Sequence, residues 1–194
     1  MSIRLRDYFI EHSVIDIPKA ESLGISRAML SYLVKKGDLQ RLSRGLYMPA
    51  TEIPDELVAI SWCSPLIIFS HETALVLHKL HNRIPDKPAI TLPTGRRVPH
   101  SIEKAVSVFH IKERFHKIGL SQVSDFQGNP VPCYDAERTV CDIIRSYSRI
   151  DEETYVNAIH NYAKLPSRDL TRLFGYARQM GIERKTYKAL EVVL

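Results

Sequence analysis

The chain has 194 residues, 44% of them hydrophobic and 25% charged, with 8 Gly and 11 Pro, which excludes disorder and collagen-like repeats and allows one large domain or two small ones. Three cysteines, Cys63, Cys133 and Cys141, at no C-x-x-C spacing, argue against a disulfide scaffold and a zinc ribbon and fit a reducing compartment. The net charge of +5 is uneven: residues 1–50 hold 8 basic and 5 acidic residues, over half of the excess in a quarter of the chain, as in a small module that meets a polyanion.

Residues 3–12 set Ile3, Leu5, Tyr8, Phe9 and Ile10 among charges and predict a first helix. Asp16 can cap a second, with Pro18 in its first turn and Gly24 as its left-handed stop. Ser26 can cap a third over residues 27–36, ended by Gly37. Two short helices joined at Gly24 are the helix-turn-helix pattern. On the third helix Met29, Leu30, Leu33 and Val34 form a packing side, leaving Ala28, Ser31, Tyr32 and Lys35 opposite. Small and polar residues with Arg27 at the helix start let such a face approach base edges in a major groove; the plain alternative is a solvated helix face.

Residues 39–42 and 46–48 are short strands around Ser43-Arg44-Gly45, a hairpin whose Arg41 and Arg44 could reach a phosphate backbone or minor groove. The run from Ile17 to Tyr47, with Gly24-Ile25-Ser26-Arg27, the Lys36-Gly37-Asp38-Leu39 corner and Arg41-Leu42-Ser43-Arg44-Gly45-Leu46-Tyr47, resembles the winged-helix domain of the AbiEi antitoxin family of transcriptional regulators. The candidate DNA-binding residues are Ser26, Arg27, Ala28, Ser31, Tyr32, Lys35, Arg41, Ser43 and Arg44.

Residues 51–54 read as a joint. Beyond it, residues 55–62 are helix-like, 66–69 form an apolar strand, and Ser70 is expected to cap a helix over 71–80. Short strands are predicted at 89–92, 106–111, 123–126 and 131–134, the last two joined by Gly128-Asn129. Asp135 is expected to cap a helix over 136–147, and helices over 152–164, 168–180 and 183–193 follow. The expected fold class is therefore α+β: an N-terminal winged helix-turn-helix, residues 1–50, followed by a mixed α/β domain, residues 55–194, with a small sheet and a helical C-terminal half.

The resemblance continues through Ser70-His71-Glu72-Thr73-Ala74-Leu75-Val76-Leu77-His78-Lys79-Leu80, Ile90-Thr91-Leu92-Pro93 and Asp135-Ala136-Glu137-Arg138-Thr139-Val140-Cys141-Asp142, which are similar to stretches of AbiEi-type antitoxins. It implies a bacterial antitoxin of a type IV toxin-antitoxin, or abortive infection, system. Such a protein represses its own operon through operator DNA with inverted repeats, and counteracts a nucleotidyltransferase-like AbiEii toxin without needing a lasting complex. The alternatives are a DNA-binding regulator with an unrelated protein-binding C-terminal domain, and a metal-dependent nuclease.

Other chemistry is weakly signalled. His71, His78 and His81 could share a face for zinc if the helix ran through His81, but helix-start and exposed-end roles explain them as well. Ser70, His71 and Glu72 are adjacent and point apart, unlike a hydrolase triad. Asp135, Glu137 and Asp142 could serve magnesium in a nuclease, yet Asp135 has a capping role and Arg138 can pair with Asp142. Gly95-Arg96-Arg97 is a basic loop without a nucleotide-binding context. The expectation is no enzyme: no catalytic set, no metal, no cofactor. No apolar run reaches the roughly 20 residues of a membrane span, no secretory signal is visible, and a cytoplasmic place with no membrane partner is expected.

Overall fold

A computed structural model of the chain describes residues 3–191. The chain divides into two compact units, Met1–Pro65 and Leu66–Leu194.

The first unit begins with α1 (Ile3–Glu11), β1 (Ile15–Asp16), α2 (Ile17–Ser22) and α3 (Arg27–Lys36). The helix starts follow from local side-chain chemistry. An Asp16 carboxylate oxygen accepts the Lys19 N–H at 2.7 Å, and Ser26 Oγ accepts the Met29 N–H at 3.2 Å, each satisfying a donor that the first helical turn leaves free. Gly37, at φ 81°, ends α3. The hairpin follows as β2 (Leu39–Ser43) and β3 (Leu46–Pro49), and β1 adds to it in the antiparallel order β1-β3-β2. Two residues are too few to register as an alternating pattern, so β1 was not expected. Leu5, Ile15, Ala20, Leu30, Leu33 and Leu39 form the core of this unit. After residues 51–54, α4 (Glu56–Trp62) is capped by Asp55, whose carboxylate accepts the Val58 N–H at 3.1 Å; this helix belongs to the first unit, and the division falls after Pro65.

The second unit carries β4 (Ile68–Phe69), α5 (His71–Leu77), β5 (Ala89–Pro93), β6 (Ser107–Ile111), α6 (Glu113–His116), β7 (Leu120–Ser124) and β8 (Pro130–Tyr134). The sheet order is β6-β5-β4-β8-β7. β5 runs parallel to β6 and antiparallel to β4, while β4 runs parallel to β8 through Phe69 and Cys133. All five residues of β5 are buried, as a strand covered on both faces requires. Then come α7 (Ala136–Arg145), a 3₁₀ turn at Tyr147–Arg149, α8 (Glu152–Lys164), α9 (Leu170–Gln179) and α10 (Glu183–Leu190). Val140, Ile143 and Ile144 of α7 pack with Leu75, Tyr162 and Leu173 in one core.

Several expected elements move. The strand expected at 123–126 lies at Leu120–Ser124, because one Asp125 carboxylate oxygen accepts the N–H groups of Gln127 and Asn129 at 2.9 Å each and holds those residues in a turn. Helix α7 stops at Arg145 rather than at 147. Ser70 does not cap α5 with its side chain, and α5 ends at Leu77 instead of 80. The four-residue α6 was not expected. The helix expected over 183–193 is found at Glu183–Leu190, and its last two expected positions, 192 and 193, lie outside the described residues.

Candidate nucleic-acid interface

Helix α3 buries Leu30 and Leu33 and leaves Arg27, Ala28, Ser31, Tyr32 and Lys35 exposed. Met29, expected on the packing side, is 48% exposed: its direction lies about 90° from the centre of Leu30, Leu33 and Val34, at the flank of the buried stripe. Tyr32, 58% exposed, offers a phenol and a ring edge in the middle of the free face. Ser26 is also exposed, but its hydroxyl is engaged as the cap. The Arg27 guanidinium pairs with Glu21 at 3.1 Å, both side chains being at least half exposed. Such a pair holds its arginine by about 1 kcal/mol or less, so an incoming phosphate or base can displace the carboxylate.

The wing belongs to the same unit, Leu39 of β2 sharing a core with Leu30 and Leu33 of α3. Gly45, at φ 82°, makes the turn that Arg44 enters; a Cβ there would also come within 3.5 Å of Ile17 Cδ1, and the Gly45 carbonyl accepts the Ile17 N–H at 3.2 Å. Arg41 Nε donates to the Ser43 carbonyl at 3.2 Å, bridging the register shift of the strand pair between them. Arg41 and Arg44 are exposed. Ser43 does not join them: its Oγ lies 3.7 Å from Cys63 Sγ and is partly buried. Trp62 Nε1 donates to the Arg44 carbonyl at 3.3 Å, and Gln40 Nε2 donates to the carbonyls of Pro49 and Glu52 at 3.2 and 2.7 Å. Trp62, Cys63 and Gln40 were absent from the expected site, since each acts by holding the wing, through contacts the sequence order does not display.

In the second unit the histidines and carboxylates singled out in the sequence are bound into the framework. His71 is fully buried, its ring nitrogens 2.9 Å from Ser70 Oγ and 3.0 Å from Ser146 Oγ, and Thr91 Oγ1 donates to Ser70 Oγ at 2.8 Å. His78 reaches the Tyr134 carbonyl at 2.7 Å and His81 faces Thr154 Oγ1 at 3.4 Å, so the three histidines serve separate partners once α5 ends at Leu77. Among the described residues no group of three or more His, Cys, Asp or Glu could hold a metal ion. Asp135 caps α7 by accepting the Arg138 N–H at 2.8 Å and takes the Tyr176 hydroxyl at 2.9 Å; burial raises its pKa. Glu137 accepts the Asp169 N–H at 3.0 Å. Asp142 pairs with Arg138, both fully buried, at 3.1 Å, and Arg138 also donates to the carbonyls of Phe115 and Ile118 at 2.7 Å each. Burial pushes the Cys141 thiol up to about 12, which leaves it an inert core group. Arg96 and Arg97 are exposed on a turn closed by the Arg96 N–H and the Pro93 carbonyl at 3.0 Å.

The helices, the three-stranded wing sheet and the free face of α3 define the first unit as a winged helix-turn-helix. The model of a family described as "Transcriptional regulator, AbiEi antitoxin" matches residues 4–50, so the resemblance read from the sequence is shown for the stretch that forms this module, and the family is one of regulators and antitoxins rather than enzymes. No curated protein matches the chain. Among solved structures it is similar to the crystal structure of the RV2827C protein from Mycobacterium tuberculosis, with a TM-score of 0.65 and 16% sequence identity, covering 97% of this chain and 75% of that one. At that identity the likeness concerns the fold alone, which is the mixed α/β arrangement expected. Among the described residues no helix is long and apolar enough to cross a membrane.

Proposed function

We propose that this protein is the antitoxin of a type IV toxin-antitoxin system and a sequence-specific repressor of its own operon. The observation that carries the DNA-binding half is the exposed face of α3, with Arg27, Ala28, Ser31, Tyr32 and Lys35 outward and the wing-tip Arg41 and Arg44 in the same unit. In this reading residues 1–50 are the DNA-binding domain: α3 enters the major groove of an operator with inverted repeats, Ser26 starts the helix close to the backbone, and the wing holds phosphate or the minor groove. Residues 55–194 are the antitoxin domain, opposed to a nucleotidyltransferase-like AbiEii toxin in the cytoplasm without a lasting complex, and with no catalytic step or cofactor of their own. The family match over residues 4–50 supports the regulatory and antitoxin parts of this reading.

The test is a salt titration of affinity for operator and random duplex. Arg27→Ala and Ser31→Ala are expected to lose preference for the operator, by about 1 to 3 kcal/mol where a good base contact disappears. Arg44→Ala is expected to weaken both duplexes alike and to make the salt slope shallower by about one unit. Operator affinity unchanged by alanine at Arg27, Ser31, Lys35, Arg41 and Arg44 would refute the DNA site.

A further inference from the structure

β5 and β6 are parallel and end side by side at Pro93 and Ile111, where the Thr94 N–H donates to the Ile111 carbonyl at 2.7 Å. Beyond the carboxyl ends of these two strands the surface recedes. The recess is a cleft of about 400 Å³, lined by His110, Lys112, Arg114, Arg145 and Arg178, with no carboxylate among its lining residues. A volume of that order suits a small molecule.

The charge of this cleft is in surplus for a structural reason. Asp142, fully buried, is already engaged through one oxygen by Arg138 at 3.1 Å. Arg145 Nε lies 3.4 Å from the other oxygen, yet both atoms are buried without a hydrogen-bond partner. Two guanidinium groups thus share one carboxylate, and the second is the one that lines the cleft. Arg178 pairs with Glu183 at 2.9 Å through a half-exposed carboxylate that an anion can replace. The Arg114 guanidinium lies 4.6 Å from the centre of the Phe115 ring, and Phe115 and Met180 give the lining an apolar part. The carboxyl end of α9 also borders the cleft; its carbonyls oppose an anion, so binding there falls to the cationic side chains.

We propose that this cleft binds a small phosphate-bearing anion: oligophosphate or the phosphates of a nucleotide, held by Lys112, Arg114, Arg145 and Arg178. The site lies wholly within the second unit, and its test reads no operator binding. Isothermal titration of the full chain at low salt, with pyrophosphate and with ATP as separate probes and no divalent cation, is expected to give one site. Affinity should fall about tenfold in Arg114→Ala and in Arg178→Ala, each losing one charged donor, and remain unchanged in Lys164→Ala on α8, with circular dichroism confirming the fold. Binding of both probes, with ATP tighter, assigns a nucleotide; binding of pyrophosphate alone assigns a free oligophosphate. Absence of heat with both at millimolar concentration, or equal affinity in wild type and both arginine variants, overturns the inference. So does a random DNA duplex that binds and is lost in those variants while neither probe binds, which would make the cleft part of a nucleic-acid surface.

Discussion

His71 opens α5 with a left-handed backbone at φ 48°, a conformation that histidine tolerates better than most side chains. Its ring lies flat on Phe109, 3.4 Å between centres, and between the hydroxyls of Ser70 and Ser146. Burial first, then the charges of Arg145, Arg149 and Arg138, hold its pKa well below the ordinary 6.5. The ring is therefore neutral in the folded protein while the unfolded chain takes up a proton below about 6.5, so stability is full above that pH and is lost as pH falls toward the depressed value. Urea denaturation at pH 7 and pH 5.5 should show the wild-type midpoint falling. His71→Asn keeps a side chain suited to positive φ and able to bond both serines, and should flatten the dependence. An equal fall in the variant would remove His71 as the source.

At the scale of elements, the wing is held from outside its own hairpin. Trp62 of α4 ties the Arg44 carbonyl, and Cys63 meets Ser43. Trp62→Phe keeps most of the packing and removes a hydrogen bond worth about 1 kcal/mol. On the proposal that the wing holds phosphate, this variant should lose a few-fold affinity for operator and random DNA alike, with their ratio intact, by fluorescence anisotropy; a changed ratio or unchanged affinity would deny α4 this role. The difference between Asp16, Ser26 and Asp135 on one side and Trp62 on the other explains what could be read from sequence. Caps bond to backbone three residues away, so their helices were legible nearly to the residue, as were the hairpin and the outward face of α3. Ser70 misled because its hydroxyl is claimed by Thr91 and His71, a choice made by tertiary packing. The strand β1 depends on a partner beyond residue 45, and the cationic cleft draws on residues as far apart as His110 and Arg178; neither has a local signature.

Over the whole molecule, each unit has a buried core of its own, which motivates a division of labour. Chains starting at residue 55 or at residue 66 are expected to restore growth when co-expressed with the toxin while failing to repress an operator reporter. If growth returns only with residues 1–50 present, the two tasks are not separable. The order in which the sheet of the second unit is joined has a consequence for synthesis. Its β4 and β8 lie next to each other through Phe69 and Cys133, so the central pairing must wait until β8 has left the ribosome, whereas every strand of the first sheet has been made by Pro49. Non-local pairing is slow and units fold in the order they emerge. The winged unit is thus complete on the nascent chain while the second unit is still open, and a ribosome that stalls between the two leaves a folded winged head without the unit proposed as the antitoxin.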